Sequence, residues 1–473
     1  MASTPHMILF PFMSKGHTIP ILHLARLLLH RGVGVTIFTT ASNRPFISDY
    51  LADTSAAIVD LPFPADIDGI PAGVESTDKL PSMSLFVPFV KSTAFMQQKF
   101  EETLETLQPV ICIISDGFFP WTLESASKFN IPRLAFYGMN YYSMTVSNDV
   151  LVNRLLFVPE SDDEHFALPS FPWIKLTRND FGEPFNMREP FNMREPKGPH
   201  KDFLVEAITA TSKSYGLIMN SYYELEATFV DHWNRTCQPR AWPVGPLCLA
   251  QPERKLPAHP KPTWLDWLDR KLTLASPVLY IAFGSQAEVS PAQMREIAKG
   301  LEGSKVNFLW VVRERKGESE IDAEFEERVK ERGLVVKDWV EQRAILGHEI
   351  VQGFLSHCGW NSVLESVCAR VPILAWPMMA EQHLNARMVV EELKVGLRVE
   401  TWNGSVRGFV KKESLERAAR EMMEGEKGKE VRKRVKELGE TASKAVEERG
   451  PSWRSLNQLV EELQKLQAER RSC

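Results

Sequence analysis

Cysteine is scarce in this chain of 473 residues. Its six cysteines, Cys112, Cys237, Cys248, Cys358, Cys368 and Cys473, show neither zinc-site nor disulfide-framework spacing. That usage suits a reducing compartment, so a cytoplasmic protein is expected. No apolar run is long enough to cross a bilayer, and no basic segment precedes the short apolar run at Met7–Phe12, as it would in a secretory signal. Charge of one sign is lacking too. A net −5 with a pI near 6.2 gives no electrostatic reason to expect a nucleic-acid partner. The glycine-rich dinucleotide fingerprint is missing: Gly32 and Gly34 lack a third glycine and a following helix, and read as a turn. That absence argues against an NAD-dependent oxidoreductase. No Asp-x-Asp pair stands where it would hold a metal, since Asp266 and Asp269 fall on an amphipathic helix. His357 with Cys358 is a poor ligand pair. No metal is expected.

What the chain does have is alternation. Short apolar runs trade places with longer helical patterns, the mark of βα units around parallel sheets. Strands are expected at Met7–Phe10, Val33–Phe38, Val110–Ser115, Pro132–Phe136 and Leu217–Asn220, with a helix over Ile21–His30. A second series follows at Val278–Phe283, Phe308–Val312, Leu334–Val336, Gly353–Ser356 and Pro372–Ala375. Between the two lies a proline-rich stretch without periodicity, read as a linker. The expected architecture is α/β, with two Rossmann-like doubly wound domains facing across a cleft. Residues 1–245 form the first, 246–262 the linker and 263–450 the second. The helix over 451–473 carries Leu456, Leu459, Val460, Leu463 and Leu466 on one stripe and needs an apolar surface, for which the first domain is available. A tandem copy, residues 183–188 repeated as 189–194, has no evident physical purpose in a proline-bearing loop.

Ligands of doubly wound sheets bind at the carboxyl ends of the strands, which directs attention to three places. His17 follows the first strand and precedes the first helix. The positive end of that helix disfavours imidazolium and leaves a ring able to accept a proton. Asp116 ends another strand of the same sheet, where its carboxylate can bind the second ring nitrogen and fix the tautomer. In the second half, His357–Ser362 joins a strand to a helix beginning near Asn361, and backbone N–H groups at such a start favour phosphate. Asn361 and Ser362 add donors, His357 can donate to a diphosphate, and Glu365 on the same helical face can accept from ribose hydroxyls. Trp339, at a strand end, can stack on a flat base. On the acceptor side, Phe86, Phe118, Phe119, Asn140 and Tyr141 cluster after strands of the first domain and can line an apolar pocket, or simply pack the core.

The stretch from Trp339 to Gln382 resembles the signature box of plant secondary-product glycosyltransferases, the family 1 UDP-glycosyltransferases. The likeness extends along the chain: Gly16 and His17 followed by Pro20, Ser115–Gly117, Trp242–Pro246 and Phe283–Ser285 match the family's other motifs. It implies a GT-B fold in which a UDP-sugar is a co-substrate and no cofactor or metal is required. By that resemblance Trp339 stacks on uracil, and Gln342 and Glu365 hold the ribose. Ser285, His357, Asn361 and Ser362 hold the diphosphate, with Val340 and Gly359 in the same donor site. Trp360, Glu381 and Gln382 then meet sugar hydroxyls. The final Gln is usual in glucose-using members.

The reaction so implied is inverting displacement: His17 is the base and Asp116 its partner, and glucose passes from UDP-glucose to a hydroxyl of a small lipophilic acceptor such as a flavonoid or other phenolic. UDP-galactose, UDP-xylose or UDP-rhamnose as donor, and a terpenoid acceptor, stay open. The expected protein is a monomer that meets only small molecules. Retention of His17 and Asp116 argues against a catalytically dead binder of nucleotide sugars. Two departures stand out: Glu341 where the family often has Pro, and Arg370 where it usually has Gly. Arg370 implies that this turn does not need a positive φ.

Overall fold

In the first strand, Met7 and Leu9 enter one core while Ile8 and Phe10 enter another, the period-two pattern of a strand buried on both faces. The computed structural model describes residues 4–107, 109–182, 198–250, 261–284, 286–312, 321 and 323–472. The tandem copy at 183–194 and Ser285 therefore lie outside the described residues, as does most of the expected linker.

Strands follow in chain order as β1 (His6–Phe10), β2 (Gly34–Thr40), β3 (Ala57–Leu61), β4 (Cys112–Asp116) and β5 (Arg133–Tyr137). A short antiparallel pair, β6 (Phe166–Ala167) and β7 (Lys175–Leu176), precedes β8 (Gly216–Met219) and β9 (Ala241–Pro243). The large strands join in the order β3-β2-β1-β4-β5-β8-β9, and every pairing is parallel. The order reverses between β1 and β4, which run side by side with Phe10 opposite Ser115. Crevices of doubly wound sheets open at such a reversal. The second sheet repeats the plan with β10 (Val278–Ala282), β11 (Asn307–Val311), β12 (Gly333–Val336), β13 (Val351–Ser356), β14 (Ile373–Ala375) and β15 (Gly396–Arg398). Its order is β12-β11-β10-β13-β14-β15, and the reversal falls between β10 and β13.

Contacts divide the chain into two units: Met1–Tyr141, Glu195–Gln251 and Lys444–Cys473 form one, Tyr142–Arg194 and Pro252–Ser443 the other. This differs from the expected boundaries in two respects. The crossover between β5 and β8 leaves the sheet it connects and clusters with the second unit. The start of the expected linker belongs to the first unit, where Leu247 is buried in the core and its N–H donates to Asn220 Oδ1 at 2.8 Å.

The helix Pro451–Ser472 is part of the first unit. Leu456, Leu459, Val460 and Leu463 sit in one cluster with Met7 and Leu9 of β1 and with Ile21, Leu24 and Leu28 of the helix Lys15–Leu29. Burial at about 1.5–3 kcal/mol for each such side chain makes this helix worth several kcal/mol to that core.

The turn at Arg370 corrects an expectation. Arg370 takes φ +62°, so the positive φ usually met by glycine is present here with a side chain in place. The long arginine stem is accommodated beside the helix Glu426–Val446, where Gly439 leaves room: a Cβ there would come 2.6 Å from Arg370 Cγ.

Candidate active site

The ends of β1 and β4 bring His17 and Asp116 together although 99 residues separate them in sequence. His17 stands in the first turn of the helix Lys15–Leu29, its N–H bonded to the Ser14 carbonyl at 2.9 Å. His17 Nδ1 lies 2.7 Å from Asp116 Oδ2, and the pair is asymmetric in exposure: the imidazole is 23% accessible, the carboxylate wholly buried. Asp116 Oδ1 accepts from the Phe118 N–H at 3.0 Å. The carboxylate is thus fixed on both oxygens and presents one of them to the ring. Facing a carboxylate oxygen, Nδ1 is the nitrogen that carries the ring's proton, which makes Nε2 the acceptor.

Arg133, buried on β5, braces this corner. Its guanidinium donates to Ser115 Oγ at 2.8 Å, Thr122 Oγ1 at 2.9 Å and Ser214 Oγ at 2.7 Å, and to the carbonyls of Asp116 and Phe119 at 3.3 and 3.4 Å. Burial lowers its pKa to about 10, so it stays charged at neutral pH.

Aromatic rings line the same corner. Phe118 lies 5.0 Å from the His17 ring, centroid to centroid, and 5.7 Å from Phe86. Both rings are half-buried, as a lining requires. Phe12 and Phe203, both buried, back this lining from the core at 5.3 and 5.6 Å from Phe118, and sequence reading missed both. Phe12 lies two residues beyond a strand, at the end of an apolar run; Phe203 lies 85 positions from Phe118 along the chain, with no motif to mark it. Phe119, Asn140 and Tyr141 are fully buried. Phe119 packs 4.5 Å from Phe10, ring centroid to ring centroid, inside the core, so it offers a pocket no surface.

The second unit carries the remaining candidates. β13 ends at Ser356, Cys358 turns through φ +62°, and Gly359 opens the helix Trp360–Cys368. His357 is wedged between two glycines. A Cβ at Gly284, itself at φ +79°, would fall 2.6 Å from His357 Nε2, and one at Gly359 would fall 2.5 Å from it. Burial pushes the His357 pKa down to about 4, against a small opposing pull from the Ala282 carbonyl. The ring is therefore neutral. Its Nδ1 is buried without a hydrogen-bond partner among the described residues, so a polar group remains to be satisfied where a phosphate oxygen was expected.

Gln342 turns out to be a hub. Its amide NH2 donates to Glu365 Oε2 at 2.7 Å and to Ser362 Oγ at 3.0 Å, while its carbonyl accepts from the Tyr280 hydroxyl at 3.2 Å. That amide orients Glu365 and Ser362 rather than standing open for a ribose. Burial raises the Glu365 pKa to about 7, with the Gln342 hydrogen bond opposing the rise. Gln382 is half committed: its Oε1 accepts from the N–H groups of Met378 and Met379, each at 3.0 Å, leaving the NH2 to donate. Trp339 keeps 59% of its surface exposed, whereas Val340 is core and the Trp360 indole is buried at 2%. A contact from Trp360 to a sugar hydroxyl would have to come from its backbone. Among the described residues, no three His, Cys, Asp or Glu side chains gather as metal ligands, and no helix is long and apolar enough to cross a membrane.

Similarity to known proteins agrees with this arrangement. The model of the UDP-glucoronosyl and UDP-glucosyl transferase family matches residues 259–438. UDP-glycosyltransferase 90A1 of Arabidopsis thaliana is 54% identical over 97% of this chain and 96% of its own length. Scopoletin glucosyltransferase of Nicotiana tabacum is 38% identical over 97% and 98%. Among solved structures, UGT73P12 of Glycyrrhiza uralensis, complexed with glycyrrhetinic acid 3-O-monoglucuronide, superposes with a TM-score of 0.86 at 30% identity, covering 99% of this chain and 98% of its own. UGT2 of Phytolacca americana, complexed with UDP-2fluoro-glucose and pterostilbene, gives 0.80 at 28%, covering 98% and 100%.

Two Rossmann-like parallel sheets with their polar clusters at the strand reversals are the GT-B glycosyltransferase fold. The chain belongs to the plant family 1 UDP-glycosyltransferases, enzymes that take a UDP-sugar as co-substrate.

Proposed function

We propose that the protein is an inverting glucosyltransferase that moves glucose from UDP-glucose onto a phenolic hydroxyl of a small lipophilic acceptor, forming a β-glucoside. The observation that carries this reading is the 2.7 Å contact between His17 Nδ1 and Asp116 Oδ2. His17 Nε2 takes the acceptor's hydroxyl proton as that oxygen bonds to the anomeric carbon. The bond from that carbon to the UDP oxygen breaks, and UDP departs with the electron pair. Asp116 stabilises the imidazolium so formed. The diphosphate is received at the His357 turn by neutral imidazole, the Asn361 side chain and backbone N–H groups at the head of the helix Trp360–Cys368. Trp339 carries the base, Glu365, oriented by Gln342, the ribose side, and the NH2 of Gln382 with Glu381 the sugar hydroxyls.

Support for a phenolic acceptor comes from the half-buried rings of Phe118, beside His17, and Phe86, packed against Phe118, and from relatives named for scopoletin and flavonoid 3-O-glucosylation. Glucose is supported by Gln382 and by the same names. The reading is tested with UDP-glucose, UDP-galactose, UDP-xylose and UDP-rhamnose against flavonoids, simple phenols and terpenoids, following UDP release and product mass. UDP-glucose with a phenolic is expected to turn over fastest. His17→Ala should lower kcat by roughly 10²–10⁴, the span of a positioned base, with calorimetric UDP affinity unchanged. Undiminished turnover in that variant removes His17 from the chemistry.

A further inference from the structure

Cys358 holds a positive φ of +62° at the centre of the His357 turn. A non-glycine residue there is strained and persists only where its surroundings over-determine it. Two side chains do so. Ser356 Oγ accepts from the Cys358 N–H at 3.1 Å, which belongs to the turn itself. The Cys358 carbonyl is met from outside, by Asn385 Nδ2 at 2.9 Å. Asn385 is fully buried, lies 27 residues from Cys358 on the helix Gln382–Arg387, and also approaches Glu381 Oε1 at 3.5 Å through the same NH2.

An amide can face either way, and only one orientation puts its NH2 on a carbonyl. The Cys358 carbonyl can only accept, so it takes the NH2. Oδ1 then faces Ser143, whose hydroxyl donates to it at 2.8 Å and holds the amide in that orientation. Ser143 lies in the helix Tyr141–Val152, at the start of the crossover that clusters with the second unit. That crossover is tied down further along by the buried pair of Arg387 Nε and Asp180 Oδ1 at 2.6 Å, and by Arg407 Nε on the Asn179 carbonyl at 2.7 Å.

We propose that Asn385 and Ser143 are positioning residues for donor binding: the Ser143 hydroxyl orients the Asn385 amide, which clamps the Cys358 carbonyl and so sets the angle of His357 and the Trp360 helix head. The inference rests on the reading of this turn as the diphosphate site. Asn385→Asp tests it with almost no change of shape: the Ser143 bond survives, but the donor to Cys358 is replaced by an acceptor. Donor KM and calorimetric UDP Kd should rise about tenfold or more, as for a buried donor lost from a carbonyl, while acceptor KM stays within about twofold. Ser143→Ala should raise donor KM by about threefold, and Ser143→Thr, which keeps the hydroxyl, should restore it.

Unchanged UDP affinity in Asn385→Asp overturns the proposal, as do donor and acceptor KM rising together with a falling Tm. Should that variant fail to fold, the Ser143→Ala and Ser143→Thr pair decides by the same split. Trp339→Ala separates the two levels. If it too leaves UDP affinity untouched, the nucleotide site has been misplaced; if it weakens UDP while Asn385→Asp does not, only the clamp is refuted.

Discussion

Glu365 is the side chain whose ionisation the structure makes most consequential. Burial raises its pKa to about 7 from the ordinary 4.5 of a glutamate. Because the folded value is raised, the folded state holds this proton more tightly than the unfolded chain. Stability therefore falls as pH climbs from about 4.5 to about 7 and levels off above. Ribose hydroxyls donating to the carboxylate favour its charged form, so UDP binding should release a proton below about pH 7, tightening as pH rises toward that value and levelling off above it. Calorimetry in buffers of different ionisation heat reads this directly, and Glu365→Gln should abolish the proton release. A UDP affinity equally pH-dependent in that variant would assign the linkage to another group. The sequence offered Glu365 as a candidate ribose acceptor because it follows Asn361 by one helical turn. It did not show that Gln342 is spent on holding Glu365 and Ser362, nor that Phe119 is core. Asn385 was invisible for a plainer reason: its partners lie 27 and 242 positions away, and no periodicity links them.

Among the elements, long buried strands were readable from their apolar runs. Those that escaped in the two large sheets were β3, exposed over much of its length, and the three-residue β9 and β15. These sit at or next to sheet edges, where burial no longer writes a hydrophobic pattern. The turn at Arg370 was misjudged because a residue type was taken to set its own φ, whereas packing against the helix Glu426–Val446 holds it. Gly439 is the counterpart of that accommodation. An added methyl would meet the Val367 carbonyl at 2.8 Å as well as the Arg370 stem, and the carbonyl cannot rotate away. Gly439→Ala should cost about 1–3 kcal/mol despite alanine's better helix propensity. Urea unfolding showing a stabilised variant would contradict this packing.

The whole molecule was legible as two doubly wound halves, and the reversals of strand order placed His17, Asp116 and His357 where such sheets bind ligands. What could not be read is that the chain changes units four times, since the crossover at Tyr142–Arg194 carries no compositional break. The C-terminal helix was legible as a stripe seeking a surface. Removing residues 451–473 strips Leu456, Leu459, Val460 and Leu463 from the cluster around β1, a loss on the order of 5–10 kcal/mol at ordinary burial values. The shortened chain should aggregate or be cut readily by protease within residues 1–141. A soluble product with the parent Tm would show that the helix is dispensable.

The order of manufacture gives that helix another meaning. A ribosome completes β1 and its six parallel companions about two hundred residues before it makes the leucines that cover them. Through that interval the earliest sheet waits with an oily face uncapped, and the enzyme's first half is finished by its last turns.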